Sequence, residues 1–267
     1  MVKGRISILV VFLLLIFCPT ASAQLVYGQS ARTFDRARLA GLWWVGTLEG
    51  RVNPGDLSAL PSSIEIGDLG LTDKERGWMW EADFGLARRH RLRVSGSDRT
   101  SDGMTTIAGS VEIGPIQVPV QVPVTSTLGI TEFETNYNLL FVANPAVDAG
   151  FLVGVGYFEA TIAASAPIGR VDQKFETSYP SLGGNALFNP EGRFRVYVEV
   201  SGFPEVTVDD LTGWKMSVIA RAEMFITQNV GAYVGYRTYE IDLKQEDLEV
   251  DVNLRWNGLI IGGAIRF

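Results

Sequence analysis

The residues that most often carry covalent or metal chemistry are scarce here. The 267 residues include one cysteine, Cys18, and one histidine, His90. A single thiol forms no internal disulfide, and a single imidazole makes no multi-histidine metal site. Bases are also short, with 23 Lys and Arg against 30 Asp and Glu and a net charge of −7, which argues against a nucleic-acid partner. Helix-length apolar runs are missing as well. Beyond the first 23 residues no stretch approaches the roughly 18 apolar residues of a membrane helix, the longest being pieces such as Gly258–Ile265. Yet 46% of the chain is hydrophobic and 20% charged, too apolar for disorder.

The first 23 residues read as a secretory leader. Met1–Arg5 is basic, Ile6–Phe17 is almost wholly apolar, Pro19 breaks a helix, and Ala21-Ser22-Ala23 places small residues where a signal peptidase cuts. Cleavage is expected before Gln24, removing Cys18 and two bases, Lys3 and Arg5, with no acid, so the charge goes from −7 to −9. Residues 1–23 are thus taken as a signal peptide, 24–39 as a periplasmic segment or inward-folded plug, and 40–267 as one β-barrel domain.

What recurs through that domain is period-2 alternation in segments of about ten residues bounded by Gly, Asn, Pro and acidic turns, the pattern of a transmembrane β-barrel. Trp214, Met216, Val218, Ala220, Ala222, Met224 and Ile226 fall on one face, opposite Lys215, Ser217, Arg221 and Glu223. Phe194–Ser201, Glu132–Phe141, Trp78–Leu86 and Arg91–Ser95 alternate in the same way. Softer segments lie at about 40–50, 150–164, 177–188, 230–243 and 252–267. The expected fold is therefore all-β, a closed antiparallel barrel of about ten strands, with eight or twelve as alternatives. The weakest is 177–188, interrupted by Tyr179-Pro180 and Gly183-Gly184, and Glu159 breaks the phase of 150–164 unless it sits at headgroup level or follows a bulge. Short connections near 87–90, 143–149, 189–192 and 228–229 alternate with longer ones near 50–77, 100–124, 165–176, 204–212 and 244–250. That rhythm implies an outer membrane, periplasmic termini and acidic external loops.

With the apolar face toward lipid, the other face lines the lumen with Glu81, Asp83, Glu132, Glu134, Glu199 and Glu223 against Arg91, Arg93, Arg195, Lys215, Arg221 and Arg237. Six acids and six bases are expected to pair into a largely closed interior, because an unpaired enclosed ion costs several kcal/mol. Aromatic residues at strand ends are expected at the membrane interfaces: Trp78, Trp80, Trp214 and Trp256 at the outer one, and Trp44, Phe141, Phe151, Phe194 and Phe267 at the inner one.

The terminal segment Asn257–Phe267 alternates Leu259, Ile261, Gly263 and Ile265 and ends on Phe267. It resembles the strand that Gram-negative outer-membrane barrels present to their assembly machinery. The mature chain is similar to the small barrel class that includes OmpA-like, OmpX-like and OmpW-like proteins. Ile64–Asp73 and Arg89–Val94 look like segments of uncharacterised bacterial barrels of this size. The resemblance implies outer-membrane lipid and the barrel assembly machinery as partners.

Catalytic candidates are few. His90 belongs to a turn beside Arg88, Arg89 and Arg91, and no serine or acid set assembles around it. The loop acids Asp68, Asp73, Asp209, Asp210, Glu246, Asp247 and Glu249 lack the ordered spacing of a calcium loop. Pro115, Pro119 and Pro123 mark a protruding edge outside the hydrogen-bonded wall. No enzyme, cofactor or metal is expected. The functional expectation is a structural or surface-interaction barrel, with a narrow porin-like pore for small polar solutes as the alternative. A soluble secreted barrel binding an apolar ligand, which requires an apolar interior, comes second.

Overall fold

The computed structural model describes residues 36–54, 64–71, 75–113, 116–167, 169–208, 211–245 and 250–267. The leader, residues 24–35, Asp73, Pro115, Asp209, Asp210, Glu246, Asp247 and Glu249 lie outside them.

Among the described residues the strands follow chain order: β1 (Ala37–Pro54), the two-residue β2 (Ile64–Glu65), β3 (Glu75–Ala87), β4 (His90–Ile113), β5 (Ile116–Ala143), β6 (Val147–Ala166), β7 (Gly169–Phe188), β8 (Phe194–Val208), β9 (Leu211–Phe225), β10 (Val230–Gln245) and β11 (Val250–Arg266). Apart from β2, each strand pairs antiparallel with its neighbours. β11 pairs back onto β1 from Arg38↔Arg266 to Pro54↔Val250. The ten long strands therefore close into a barrel with no open edge at membrane level, the condition for a sheet to cross hydrocarbon.

One end of the barrel carries tight turns: Arg88-Arg89, 144–146, 189–193 and 226–229. At the opposite end the strands run far past the roughly 9–11 residues that cross a bilayer, up to 28 in β5. The connections expected near 100–124, 165–176, 204–212 and 244–250 are mostly strand, paired to Ile113↔Ile116, Ala166↔Gly169, Val208↔Leu211 and Gln245↔Val250. Pro119 and Pro123 are residues of β5 paired with β4, below which β5 first meets β6 at Thr125↔Ser165.

The outer wall has two zones. Nearer the tight turns it is an apolar belt: Val230, Ala232, Val234 and Tyr236 on β10; Leu259, Ile261 and Ile265 on β11; Phe151, Val153 and Val155 on β6. Among the described residues of the belt, no Asp, Glu, Lys or Arg points outward. Beyond it the same faces turn polar, to Thr238, Glu240, Asp242 and Lys244 on β10 and Asn257, Arg255, Asn253 and Asp251 on β11. The boundary follows the ladder: Asp98, Thr131, Glu159 and Glu176 lie directly opposite one another on β4 to β7. Glu159 thus sits just past the belt, with no bulge, and its carboxyl is held below the usual carboxylate range by the Tyr157 hydroxyl and by Lys174.

The interior changes in the opposite sense at the same level. Behind the belt it is ionic. Behind the polar wall it is an apolar core of Leu48, Leu128, Phe158, Phe175, Ile241, Leu243, Val252 and Leu254, joined by Ile66 and Leu71 from the β1–β3 connection. The upper part is therefore a water-facing barrel with its own hydrophobic core, a tower on the membrane-spanning section. A uniformly ionic lumen, as the sequence implied, is correct only for the lower section. Above the belt water is outside, so the apolar set turns inward.

β7, the weakest segment by sequence, is a full strand. It pairs with β8 only from Leu182↔Gly202 to Phe188↔Val196, which is belt height. Above that level Pro180 and Pro204, lacking N–H groups, flank the parting strands, and Tyr179 stacks on Phe203 at 5.1 Å. Pro204 also lies in the register shift between β8 and β9. Water can hydrate the parted edges there, whereas in lipid an unpaired edge is prohibitive.

Val234→Arg, on the belt face, is expected to destabilise the protein by about 2–4 kcal/mol in lipid. Glu240→Arg, on the same face three residue pairs higher, should change stability by under about 0.5 kcal/mol. Denaturant titration in vesicles measures both. Equal costs would remove the boundary.

Candidate functional site

The belt's interior is the site the sequence singled out, and alternation places its members there because each strand that shows lipid an apolar residue turns the next one inward. Two charge clusters form. Near the tight turns, Arg38 donates to Glu81 (3.2 Å), Asp83 (3.0 Å) and Glu223 (2.7 Å). Arg221 donates to both oxygens of Glu81 at 2.7 and 2.8 Å and to Glu223 at 2.9 Å. Arg93 donates to Asp83 at 2.6 Å, and also to Glu199 and the Tyr197 hydroxyl, which in turn donates to Glu199. Arg91 pairs with Asp148 at 2.8 Å. Arg195 packs its guanidinium over Phe225, 4.7 Å from the ring centre.

The second cluster lies higher, beneath the apolar core. The Lys215 ammonium, fully enclosed, donates to both Glu132 and Glu134. The Tyr179 hydroxyl lies 2.8 Å from an oxygen of each of the same two carboxylates, to one of which its single proton is donated, and accepts from Lys215 at 2.6 Å. Arg237 reaches Glu132 at 3.6 Å and donates to Ser217 at 3.1 Å. Arg99, 1% exposed, comes within 3.7 Å of Glu132. Its guanidinium lies 4.9, 5.1 and 4.5 Å from the ring centres of Trp44, Tyr239 and Trp256. Ring faces thus do for Arg99 much of what carboxylates do for its neighbours.

All twelve lumen residues expected from the sequence line this interior: Glu81, Asp83, Arg91, Arg93, Glu132, Glu134, Arg195, Glu199, Lys215, Arg221, Glu223 and Arg237. Sequence reading missed Arg38, which had been assigned to the preceding segment, and also Arg99 and Asp148. Arg99 shares the parity of Arg91 and Arg93 on β4, and that parity was the available signal; β1 and β6 had no recognised lumen residue to set the phase for Arg38 or Asp148. Trp44 and Trp256, expected at the membrane interfaces, are 3% and 1% exposed and face inward. On β1 the adjacent pair Trp43-Trp44 leaves the phase ambiguous, and Trp43 is the lipid-facing one, 6.1 Å from Trp78. On β11, Trp256 is out of phase with Leu259, Ile261 and Ile265. Trp78, Trp80, Phe141, Phe151, Phe194 and Phe267 are outward and exposed, and Trp214 is outward and half-buried.

Glycines make room for the large inward side chains. A Cβ at Gly156 would come within 2.2 Å of the Tyr179 ring, one at Gly258 within 2.3 Å of the Trp44 indole nitrogen, and one at Gly77 within 2.4 Å of Arg99 Cγ. A vestibule of about 40 Å³ opens between Arg38, Arg91, Arg93, Asn138 and Arg195 at the turn end, room for a few waters. His90 is on the outer face at that end, its Nδ1 hydrogen-bonded with the Tyr137 hydroxyl. Among the described residues no group of three or more His, Cys, Asp or Glu is arranged to hold a metal.

No family model matches the chain, and no curated protein sequence matches it. Solved structures do. The outer membrane protease OmpT from Escherichia coli superposes with a TM-score of 0.58 at 11% identity, covering 89% of this chain and 99% of that one. The transport unit of the autotransporter AIDA-I from Escherichia coli gives a TM-score of 0.40 at 9% identity, covering 92% and 93%. Ail, the attachment invasion locus protein of Yersinia pestis, gives 0.34 at 12% identity, covering 87% and 99%. The fold is that of an outer-membrane β-barrel of ten strands.

Lys215→Met leaves two buried carboxylates without their shared cation and is expected to destabilise by about 3–5 kcal/mol. Adding Glu134→Gln should recover a substantial part of that loss. Unfolding of both variants in detergent checks the pair, and a double variant no better than the single would show that Lys215 does not hold Glu134.

Proposed function

We propose that the protein is a non-conducting barrel of the outer membrane with a structural or surface-interaction role, its tower facing outward and its tight turns and termini in the periplasm. One observation carries this reading: two chemically different barriers fill the cylinder in series. In the ion-paired layer Lys215 and Glu132 are buried, and directly above it Leu128, Tyr239, Ile241 and Leu254 are fully buried. A solute crossing the lumen would have to break a salt-bridge network and then pass through a packed apolar core. The tower's outer wall, polar and continuous with the membrane-spanning strands, offers a rigid surface for contact with other molecules.

The orientation follows from connection length, since outer-membrane barrels place short turns on the periplasmic side. Leu259, Ile261, Ile265 and Phe267 form the outward face of the closing strand, the face that the assembly machinery would meet. The apolar interior that a ligand-binding secreted barrel would need exists in the tower, but the belt below requires lipid around it.

Purified protein in planar bilayers is expected to give no discrete, reproducible conductance steps even at high protein load. Regular steps would replace the closed barrel with a narrow pore for small polar solutes, entered at the arginine-lined vestibule.

A further inference from the structure

The belt's two borders differ in charge. Past the border with the tower, the exposed wall carries mainly carboxylates, such as Asp98, Glu159, Glu176, Glu240 and Asp242. Past the border with the tight turns it carries arginines. Arg36, Arg88, Arg89 and Arg193 are all exposed, and none has a carboxylate partner among the described residues. Each lies within three residues of an outward apolar side chain at the belt's end: Leu39 for Arg36, Leu86 for Arg88 and Arg89, Phe194 for Arg193. That places them at headgroup depth, where a cation has lipid phosphate as its nearest counter-charge. Glu191 shares the turn of Arg193, and the Phe267 carbonyl oxygen accepts the Arg36 N–H at 2.7 Å.

Three of these arginines belong to neighbouring strand ends. The Gly85 N–H donates to the Arg36 carbonyl at 2.8 Å, which ties the start of β1 to the end of β3 and sets Arg36 beside the Arg88-Arg89 turn. On the belt beside them, across β10, β11 and β1, runs an apolar groove of about 340 Å³ lined by Leu39, Gly41, Val230, Gly263 and Ile265. Gly263 has space over it, since the nearest atom to an added Cβ is the Gly231 oxygen at 3.6 Å. An apolar trough whose lining residue Leu39 stands three residues from the exposed Arg36 matches one molecule of two-part chemistry: a hydrocarbon chain for the trough and an anionic phosphate for the arginines, which bind phosphate in a planar, two-pronged fashion.

We propose that the turn end of the barrel holds an anionic phospholipid at the seam where β11 closes on β1, its chain in the groove and its phosphate on Arg36, Arg88 and Arg89. The site selects a phospholipid whose headgroup keeps a net negative charge over a zwitterionic one, because phosphate alone is common to both and the arginine cluster rewards uncompensated charge.

Native mass spectrometry of the delipidated protein, refolded in detergent and offered phosphatidylglycerol, phosphatidylcholine and lipid A in separate titrations, tests this. Phosphatidylglycerol should be retained preferentially, and R88Q/R89Q should lower its retention by about thirty-fold, near the effect of two surface arginines, and that of phosphatidylcholine by much less, so that the preference disappears. G263L, which fills the groove, should weaken both phospholipids and keep their ratio. The shift in gel mobility on heating confirms that each variant is folded. Equal retention of phosphatidylglycerol and phosphatidylcholine by the wild type, or an R88Q/R89Q variant that keeps the preference, would overturn the proposal. Lipid A retained best, and lost with the same arginines, would also overturn it by assigning this rim to the other leaflet.

Discussion

Everything in this barrel depends on the obligation of a closed sheet to show two faces with a strict period of two. The backbone is satisfied by its neighbours, so the only freedom left to each strand is which side chains go in and which go out. In the belt, hydrocarbon outside forces apolar residues outward and leaves the polar ones no place but the lumen. Above the belt the solvent changes and the demand reverses, so the same strand exchanges its two compositions without a break in its hydrogen bonding. β10 does this within a few residues, from Tyr236 out and Arg237 in to Glu240 out and Ile241 in.

An ionic interior is tolerable only because it is dense in partners. Dehydrating a charge costs several kcal/mol, and Coulomb attraction offsets this when each group also finds hydrogen bonds. The lower cluster achieves this by sharing: Arg38, Arg93 and Arg221 interlace with four carboxylates, so that Glu81, Asp83 and Glu223 each serve two guanidinium groups. The upper cluster has the reverse excess, three cations around Glu132 and Glu134, and there aromatic faces supply the balance. Aromatic side chains such as Tyr239 and Trp256 therefore mark the transition between the ionic layer and the hydrocarbon-like core: one face of each contacts cations, and the surroundings above are apolar.

How much of this the sequence disclosed depended on the solvent assumed. In the belt, where alternation was read with lipid outside, Trp214–Ile226 and Phe194–Ser201 gave the right faces, and the twelve lumen charges came with them. Where water is outside, the assumption failed. Thr100-Ser101-Asp102-Gly103 looked like loop because neither face of that stretch is apolar, although Ser101 is buried and Thr100 and Asp102 are exposed on a continuous strand. Local phase failed too where two large aromatics are adjacent, as at Trp43-Trp44. Which charges pair was not legible at all, since Arg38 with Glu223 and Lys215 with Glu132 meet across the lumen from distant strands. Pro180 counted against a strand only because the ladder was assumed to continue on both sides of it.

If the tower faces outward, as proposed, the exchange of faces also fixes the direction of traffic during assembly. The upper ends of β10 and β11 would then cross the bilayer while their apolar alternates have no core to join, and only on the far side would Leu243, Val252 and Leu254 come together. From then on, retreat would require dismantling that core and drawing Glu240, Asp242 and Asp251 back through oil. Insertion is thereby ratcheted, and the folded tower is the pawl.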